Sequence, residues 1–168
     1  MRKPNCAYAT AQSMLPSMSK RAHALRTGRF SEAGRVYLVT TVTQARAPLF
    51  TDFRLARLAI RALRAADGAG TCRTLAFVLM PGHRHWLLEL RAASLSQLLG
   101  SFKATASAAI NREMGSPGVQ RWQKGFHDHA ARQEEGLATL ARYVVANPLR
   151  AGIAPGVGSY PHWDAVWV

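Results

Sequence analysis

Apolar side chains recur along the chain at two different spacings, and the shorter spacing predicts strands. Residues 35–43 are rich in β-branched side chains, which favours a strand. Residues 72–80 and 83–90 are two further apolar runs, and the Pro81-Gly82 pair between them favours a tight hairpin turn. Residues 119–129 are also expected to be extended, so the pattern predicts four strands.

The longer spacing has the period of an α-helix and predicts three helices. They span residues 51–66, 94–113 and 134–147. Thr51 or Asp52 is the expected N-cap of the first helix, and Pro148 is expected to end the last one. The resulting order of strands and helices predicts an α+β fold, a ferredoxin-like sandwich in which an antiparallel sheet carries helices on one face.

Length and composition indicate one folded domain. With 168 residues, 48% of them hydrophobic, the chain can bury a sizeable core, which we expect within residues 35–168. Residues 1–34 are basic and poor in core residues, so they predict an irregular arm that either orders on nucleic acid or stays a loose terminus. The sequence has neither a transmembrane run nor the apolar core of a signal peptide. Two unpatterned cysteines, Cys6 and Cys72, favour a reducing cytoplasm.

The charge of the chain is strongly positive, which predicts a phosphate-rich partner. Lys and Arg total 22 against 9 Asp and Glu, giving a net charge of +13, and only four of the basic residues are lysines. A high-GC genome explains Arg in place of Lys but not the shortage of acids. One predicted stripe on the outer face of the first helix suits contact with phosphates, although a solvated helix face is the alternative. The stripe consists of Arg54, Arg57, Arg61 and Arg64.

A pair of histidines on the third strand is the first candidate for chemistry. His83 and His85 lie two positions apart, so in a strand both side chains point to the same face and can share one divalent metal ion. Two ordinary strand histidines are the alternative. Arg84 between them points to the other face. A buried, unpaired guanidinium is costly, so Arg84 either lies near the strand end and reaches solvent or pairs with an acid, and we expect the former.

A tyrosine and an asparagine on the last predicted helix complete the candidate site. Tyr143 lies beside the apolar stripe of this helix, and Asn147 follows one turn later on the same side. The histidine pair and the Asn147 amide oxygen can hold Mg²⁺ or Mn²⁺ with positions left for phosphate oxygens. Tyr143 can then attack phosphorus to form a phosphotyrosine. A boundary tyrosine with its hydroxyl in water is the alternative.

These motifs resemble those of the REP-associated tyrosine transposases, a branch of the single-tyrosine transposases with a His-hydrophobic-His motif. The resemblance spans roughly residues 20–168 and rests on segments 37–43, 78–87, 122–128, 141–152 and 160–164. It implies that His83 and His85 are metal ligands, that Tyr143 is the nucleophile and that Asn147 completes the metal site. It also implies that a basic N-terminal segment reads DNA beside a hairpin, for which the matching residues are Arg21, Arg26 and Arg29.

The function implied by this resemblance is that of a metal-dependent single-stranded DNA endonuclease and strand transferase. It would act on hairpins of repetitive extragenic palindromes and form a covalent 5′-phosphotyrosine. The protein is expected to be a monomer that does not associate with a membrane. Trp122 or Phe126 would stack DNA bases. His127 and Asp128 are candidates for contacting DNA or supporting the site, with a purely structural role as the alternative. His127 and His129 also form a rival histidine pair, in which Asp128 could be a further ligand.

Two alternatives stay open on the same residues. The first is a non-catalytic module that binds structured DNA or RNA on the same fold. The second is an unrelated small metalloprotein, which is disfavoured because Glu89 is the only acid near the histidine pair.

Overall fold

The computed structural model describes residues 31–131 and 136–167. Its strands are β1 (Val36–Val42), β2 (Cys72–Met80), β3 (His83–Leu90), β4 (His127–Ala130) and β5 (Trp163–Ala165). Its α-helices are α1 (Phe53–Gly68), α2 (Leu95–Glu113), α3 (Leu137–Val145) and α4 (Asn147–Arg150). Short 3₁₀ turns lie at Gln44–Arg46, Leu49–Thr51 and Val157–Ser159. No helix in the two described ranges is long and apolar enough to cross a membrane.

The strands form one antiparallel sheet in the order β4-β1-β3-β2-β5. The first four strands and the two helices between them follow the ferredoxin-like βαββαβ order. The predicted α+β sandwich is therefore confirmed. Strand β5, which the sequence pattern did not predict, extends the sheet at the free edge of β2.

Both faces of the central strands are buried, and each face packs against different helices. On β3, Trp86, Leu88 and Leu90 belong to a core shared with α1 and α2. Leu87 points the other way, into a second core shared with α3. Helices α1 and α2 thus cover one face, as predicted, and α3 covers part of the opposite face. The continuous apolar runs of β2 and β3 follow from this double burial.

The first two helices begin where side chains cap them. The Asp52 carboxylate accepts hydrogen bonds from the backbone N–H groups of Arg54 and Leu55 at 2.7 and 3.1 Å. Ser94 and Gln97 form a reciprocal capping box at the start of α2. These caps satisfy N–H groups that a helix leaves without partners, so the predicted starting points lie within two residues of the observed ones.

The last predicted helix differs from the structure at both ends. Helix α3 begins at Leu137 after Gly136, later than the predicted residue 134, which lies outside the described residues. It ends at Val145, before the predicted end at residue 147. The prediction that Pro148 stops the helical segment was wrong. Pro148 instead lies in the first turn of α4, where its missing N–H group would have no helical partner in any case.

The turn that precedes His83 is held by a neighbouring loop. Thr43 donates its N–H to the Gly82 carbonyl at 3.0 Å, and Phe50 donates to the Pro81 carbonyl at 3.0 Å. A Cβ on Gly82 would lie 2.6 Å from the Arg46 carbonyl oxygen. This close approach requires glycine and fixes the point at which β3 starts.

Of the predicted N-terminal arm, residues 31–34 are described and residues 1–30 lie outside the described part. Ser31 accepts a hydrogen bond from the Leu95 N–H at 3.1 Å, and Gly34 donates to the Leu90 carbonyl at 2.6 Å. The division between an arm and a catalytic domain therefore stays a prediction.

Candidate active site

The two histidines of β3 share one face of the sheet, as strand alternation predicts. Their ring centroids are 4.9 Å apart and the ring planes are nearly perpendicular, at 85°. Across the sheet, His85 lies between Thr40 on β1 and Val78 on β2, and His83 lies beside Met80. Val78 and Met80 belong to the core that packs against α3. The histidine pair therefore faces the same side of the sheet as α3.

Burial and nearby positive charge keep both imidazoles neutral. Burial, with help from the charges of His83 and Arg150, lowers the pKa of His85 to about 3. Burial and the nearby Arg46 also lower the pKa of His83. The Thr40 hydroxyl is hydrogen-bonded to His85 Nδ1 at 2.8 Å, which orients the ring and leaves Nε2 for a ligand. Neutral, oriented imidazoles are the form that binds a metal ion.

Tyr143 and Asn147 lie at the junction of α3 and α4. Tyr143 is 38% exposed, whereas Asn147 is 9% exposed. The Asn147 amide nitrogen donates to the carbonyl oxygens of Tyr143 and Val144 at 3.1 and 2.8 Å. These bonds satisfy carbonyls at the end of α3 and fix the amide plane. The only atom that Asn147 can offer to a cation is consequently Oδ1.

Arg150 connects these two residues and was assigned no role from the sequence. Its guanidinium lies 3.8 Å from the centre of the Tyr143 ring. Arg150 Nη1 donates to the Tyr143 carbonyl at 3.2 Å, and Nη2 donates to Asn147 Oδ1 at 3.0 Å. Its charge also contributes to the lowered pKa of His85, so it lies near the histidine pair. Its spacing of one turn from Asn147 and two turns from Tyr143 is the sequence signal that could have revealed it.

The donor atoms of His83, His85 and Asn147 have the chemistry that a divalent metal ion requires. Two neutral imidazoles and one amide oxygen suit a borderline ion such as Mn²⁺, with the remaining positions open to phosphate oxygens. Asn147 Oδ1 already accepts from Arg150 but keeps a second lone pair. Within residues 31–131 and 136–167, no three His, Cys, Asp or Glu side chains form a group that could hold a metal. The alternative of a metalloprotein site completed by Glu89 has no support in this part of the chain.

The expectation for Arg84 was wrong. The residue is fully buried, and its guanidinium lies against two neighbouring rings, 4.4 Å from the centre of Trp86 and 3.9 Å from that of Phe102. None of its three side-chain nitrogens has a hydrogen-bond partner among the described residues. Burial lowers the pKa of Arg84 to about 9. The ring faces take the place of the solvent or the acid that the sequence alone suggested.

The rival histidine pair lies on the edge strand β4. His127 is paired with Thr40, and His129 with Leu38, so both face the same side of the sheet as His85. Both are exposed. Two strand spacings, about 10 Å in all, separate the backbones of His127 and His85. The roles of His127 in contacting DNA and of this pair in binding metal stay predictions.

The other residues predicted to contact DNA are Trp122, the arginines of α1 and the arginines of the N-terminal arm. Trp122 is only 4% exposed, and its ring packs against Phe50 and Phe102 at 5.7 and 5.4 Å. This burial corrects the expectation that Trp122 stacks a base. The four arginines of α1 are exposed, but their helix packs on the sheet face opposite the histidines. Arg54 and Arg64 form exposed ion pairs with acids, at 3.8 and 3.5 Å. The predicted DNA-reading residues of the arm lie outside the described residues: Arg21, Arg26 and Arg29.

Comparisons with known proteins identify the family. Residues 34–147, more than half of the chain, match the family described as "Transposase IS200 like". The chain therefore belongs to the IS200-like transposases, which indicates a role in DNA transposition or related DNA processing. No curated protein matches it.

Two solved structures of transposases are similar to this chain. One is a REP-associated tyrosine transposase bound to a REP hairpin, with a TM-score of 0.62 and 21% sequence identity over 81% of this chain and 79% of that chain. The other is a putative transposase from Deinococcus radiodurans R1, with a TM-score of 0.48 and 17% identity over 71% of this chain and 95% of that chain. The family match and the first structure confirm the resemblance and the fold predicted from the motifs.

Proposed function

We propose that the protein is a metal-dependent endonuclease and strand transferase that cleaves single-stranded DNA beside a hairpin and forms a covalent 5′-phosphotyrosine at Tyr143. The observation that carries the proposal is the common sheet face shared by the neutral pair His83 and His85 and the helix that bears Tyr143. Membership of the transposase family supports it, because strand cleavage and joining are the chemistry of transposition.

In the proposed reaction, the Tyr143 phenolic oxygen forms a bond to phosphorus as the bond from phosphorus to the 3′-oxygen breaks. The phenol loses its proton, and the departing 3′-oxygen gains one. The new phosphotyrosine keeps the energy of the phosphodiester, so a 3′-hydroxyl can later displace Tyr143 without ATP. Tyr143 suits both steps, because a phenol is a nucleophile and its phenolate is also a leaving group.

His83, His85 and Asn147 would hold the metal ion, and divalent metals are usual in this family. A bound Mg²⁺ or Mn²⁺ would act as a Lewis acid on the phosphate. Since this set contains no carboxylate, the phosphate of the DNA would supply the negative charge around the ion. The surrounding arginines Arg46 and Arg150 favour the same anion.

The proposed partner is a single-stranded DNA hairpin. The similar transposase of known structure was bound to a REP hairpin, and the net charge of +13 suits a phosphate backbone. In this proposal the exposed arginines of α1, together with His127, bind the backbone outside the cleavage site. We propose a monomer, because the helix that bears Tyr143 packs on the histidine face of the sheet of its own chain.

Adduct formation tests the proposal. The wild-type protein, incubated with a labelled hairpin that carries single-stranded flanks and with Mn²⁺ or Mg²⁺, should give a protein–DNA adduct on a denaturing gel. Tyr143→Phe should give none. Tyr160→Phe is the matched control, because it removes a hydroxyl that donates to the Leu79 carbonyl in the core, 2.6 Å away. An adduct that persists in Tyr143→Phe would exclude this nucleophile.

A second candidate is a non-catalytic module for structured DNA or RNA. The observation in its favour is that the Asn147 amide is engaged on both sides, by backbone carbonyls and by Arg150. Tight, salt-sensitive binding of the hairpin without an adduct, under either metal, would favour this module over the enzyme.

The rival histidine pair needs a separate comparison. In the proposed enzyme, His85→Ala abolishes both metal binding and the adduct, whereas His129→Ala keeps both. Isothermal titration with Mn²⁺ and the adduct gel measure the two effects. Loss of metal binding in His129→Ala alone would move the proposed metal site to the edge strand.

A further inference from the structure

Arg150 makes more contacts within the candidate site than any role in surface solubility requires. Its guanidinium lies against the Tyr143 ring at 3.8 Å and donates to both the Tyr143 carbonyl and Asn147 Oδ1. An exposed arginine loses considerable rotamer freedom when it is held in this way. The contacts join the proposed nucleophile to the proposed third ligand of the metal.

We propose that Arg150 is a positioning residue of this site, which holds the Tyr143 ring and competes with a metal ion for Asn147 Oδ1 until a DNA phosphate draws its guanidinium away from that oxygen. This inference rests on the proposed function and adds to it an order of events. The site of the free protein binds metal weakly, and DNA and metal strengthen each other's binding.

The chemistry of the amide supports the competition. Both N–H groups of Asn147 donate to backbone carbonyls, so the amide cannot turn to offer a different atom. The remaining acceptor, Oδ1, lies 3.0 Å from Arg150 Nη2. A divalent ion on the same oxygen would lie close to a full positive charge, and the two would repel each other.

The geometry of a phosphate group supports the release of the Arg150 guanidinium from Asn147 Oδ1. A guanidinium presents its N–H groups as a planar fork that matches two phosphate oxygens. A phosphate close enough for attack by Tyr143 would lie within reach of a guanidinium that already contacts the Tyr143 ring. The same phosphate would offset the repulsion between Arg150 and the metal ion, which explains why one site can contain both.

Metal binding to the full chain tests the competition without any turnover. Mn²⁺ is titrated calorimetrically into the wild type and into Arg150→Met, with Arg142→Met as the matched control. Arg142 is exposed in the last turn of α3, so its substitution removes the same charge from the neighbouring helix. Arg150→Met should bind Mn²⁺ at least about tenfold more tightly than the wild type, and Arg142→Met should differ by no more than about twofold.

Two additions complete the experiment. Arg150→Lys keeps the charge but loses the fork, so it should bind Mn²⁺ as weakly as the wild type. A hairpin should tighten Mn²⁺ binding by a larger factor in the wild type than in Arg150→Met, where the phosphate still contributes its own charge but displaces no guanidinium from Asn147 Oδ1. At saturating Mn²⁺, the adduct should form at least about tenfold more slowly in Arg150→Met, since its Tyr143 ring is no longer held.

The outcomes separate this inference from the proposed function. Equal Mn²⁺ affinities in Arg150→Met and Arg142→Met, or no Mn²⁺ binding in any variant, would overturn the competition. A normal adduct rate in Arg150→Met would overturn the positioning role. If the wild type binds Mn²⁺ but forms no adduct, the proposed enzyme fails, and the difference in metal affinity still decides the competition.

Discussion

Replacing Arg84 by methionine should make the protein more stable. Arg84 is fully buried with no hydrogen-bond partner among the described residues, and burial lowers its pKa to about 9, more than three units below that of a free arginine. At about 1.36 kcal/mol for each pKa unit, the charged form costs about 5 kcal/mol in the folded state. Two desolvated ring contacts, with Trp86 and Phe102, return about 2 kcal/mol each.

The balance leaves Arg84 slightly unfavourable. Methionine has a similar length, fills the same space and needs no solvation. Since replacing buried charges by apolar side chains of similar volume is often neutral or favourable, we expect Arg84→Met to raise the free energy of unfolding by about 1–3 kcal/mol. Arg84→Ala leaves a cavity and should lower the free energy of unfolding by about 2 kcal/mol.

Urea unfolding followed by tryptophan fluorescence measures these changes at pH 7. Arg84→Lys is the charge-matched control and should be less stable than the wild type, because an ammonium is more strongly hydrated and cannot stack on both rings. If Arg84→Met is less stable than the wild type by more than about 1 kcal/mol, the ring contacts outweigh the desolvation cost and the reasoning is refuted.

The same variant has a pH dependence. Because the Arg84 pKa is lower in the folded than in the unfolded protein, the unfolded state binds more protons than the folded state once the pH rises through about 9. The wild type therefore gains stability relative to Arg84→Met as the pH rises through 9. The difference in the free energy of unfolding between Arg84→Met and the wild type should be constant from about pH 6 to 8 and should become smaller at about pH 10.

Three further predictions address the turn, the surface and the core. In thermal melts, Gly82→Ala should lower the free energy of unfolding by about 1–3 kcal/mol, because the new Cβ would meet a backbone oxygen 2.6 Å away. Gly100 lies on the open face of α2, so Gly100→Ala should raise the free energy of unfolding by up to about 1 kcal/mol. Substituting both Arg57 and Arg61 by alanine should weaken hairpin binding and reduce the slope of log affinity against log salt concentration by about 1.4–1.8. The rate of adduct formation at saturating DNA should be unchanged. An unchanged slope would exclude phosphate contacts by Arg57 and Arg61. Burial and the nearby Asp67 raise the pKa of the Cys72 thiol to about 12. In a Cys6→Ser background, the folded protein should therefore not react with Ellman's reagent at pH 8. Rapid reaction of the folded protein would contradict the burial of Cys72.

The sequence predicted the strands best where burial determined the pattern. Strands β2 and β3 have the predicted bounds, because both faces of each strand are covered and a Pro-Gly turn separates them. Strand β5 was missed because three residues are too few to show alternation. The start of α3 was placed too early because Gly136, and not an earlier polar residue, precedes its first turn.

Within the candidate site, the sequence predicted which residues share a face but not what they contact. Strand and helix periods were sufficient to group His83 with His85 and Asn147 with Tyr143. They could not reveal that Arg150 already contacts Asn147, although its spacing was visible. They also could not reveal the Phe102 ring over Arg84, because that ring comes from α2 and reaches β3 only in the folded protein.

Strand β3 gives two separate sets of constraints to neighbouring residues. The side chains at 84, 86, 88 and 90 face α1 and α2, whereas those at 83, 85, 87 and 89 face the side of α3. A saturation mutagenesis map of this strand should therefore alternate between adjacent positions, with folding losses at 86 and 88 and losses of DNA processing in well-folded protein at 83 and 85. Leu87 is the exception on the reactive face, because it is buried in the core shared with α3. Selection can then change positions 83 and 85 without weakening the core at 86 and 88.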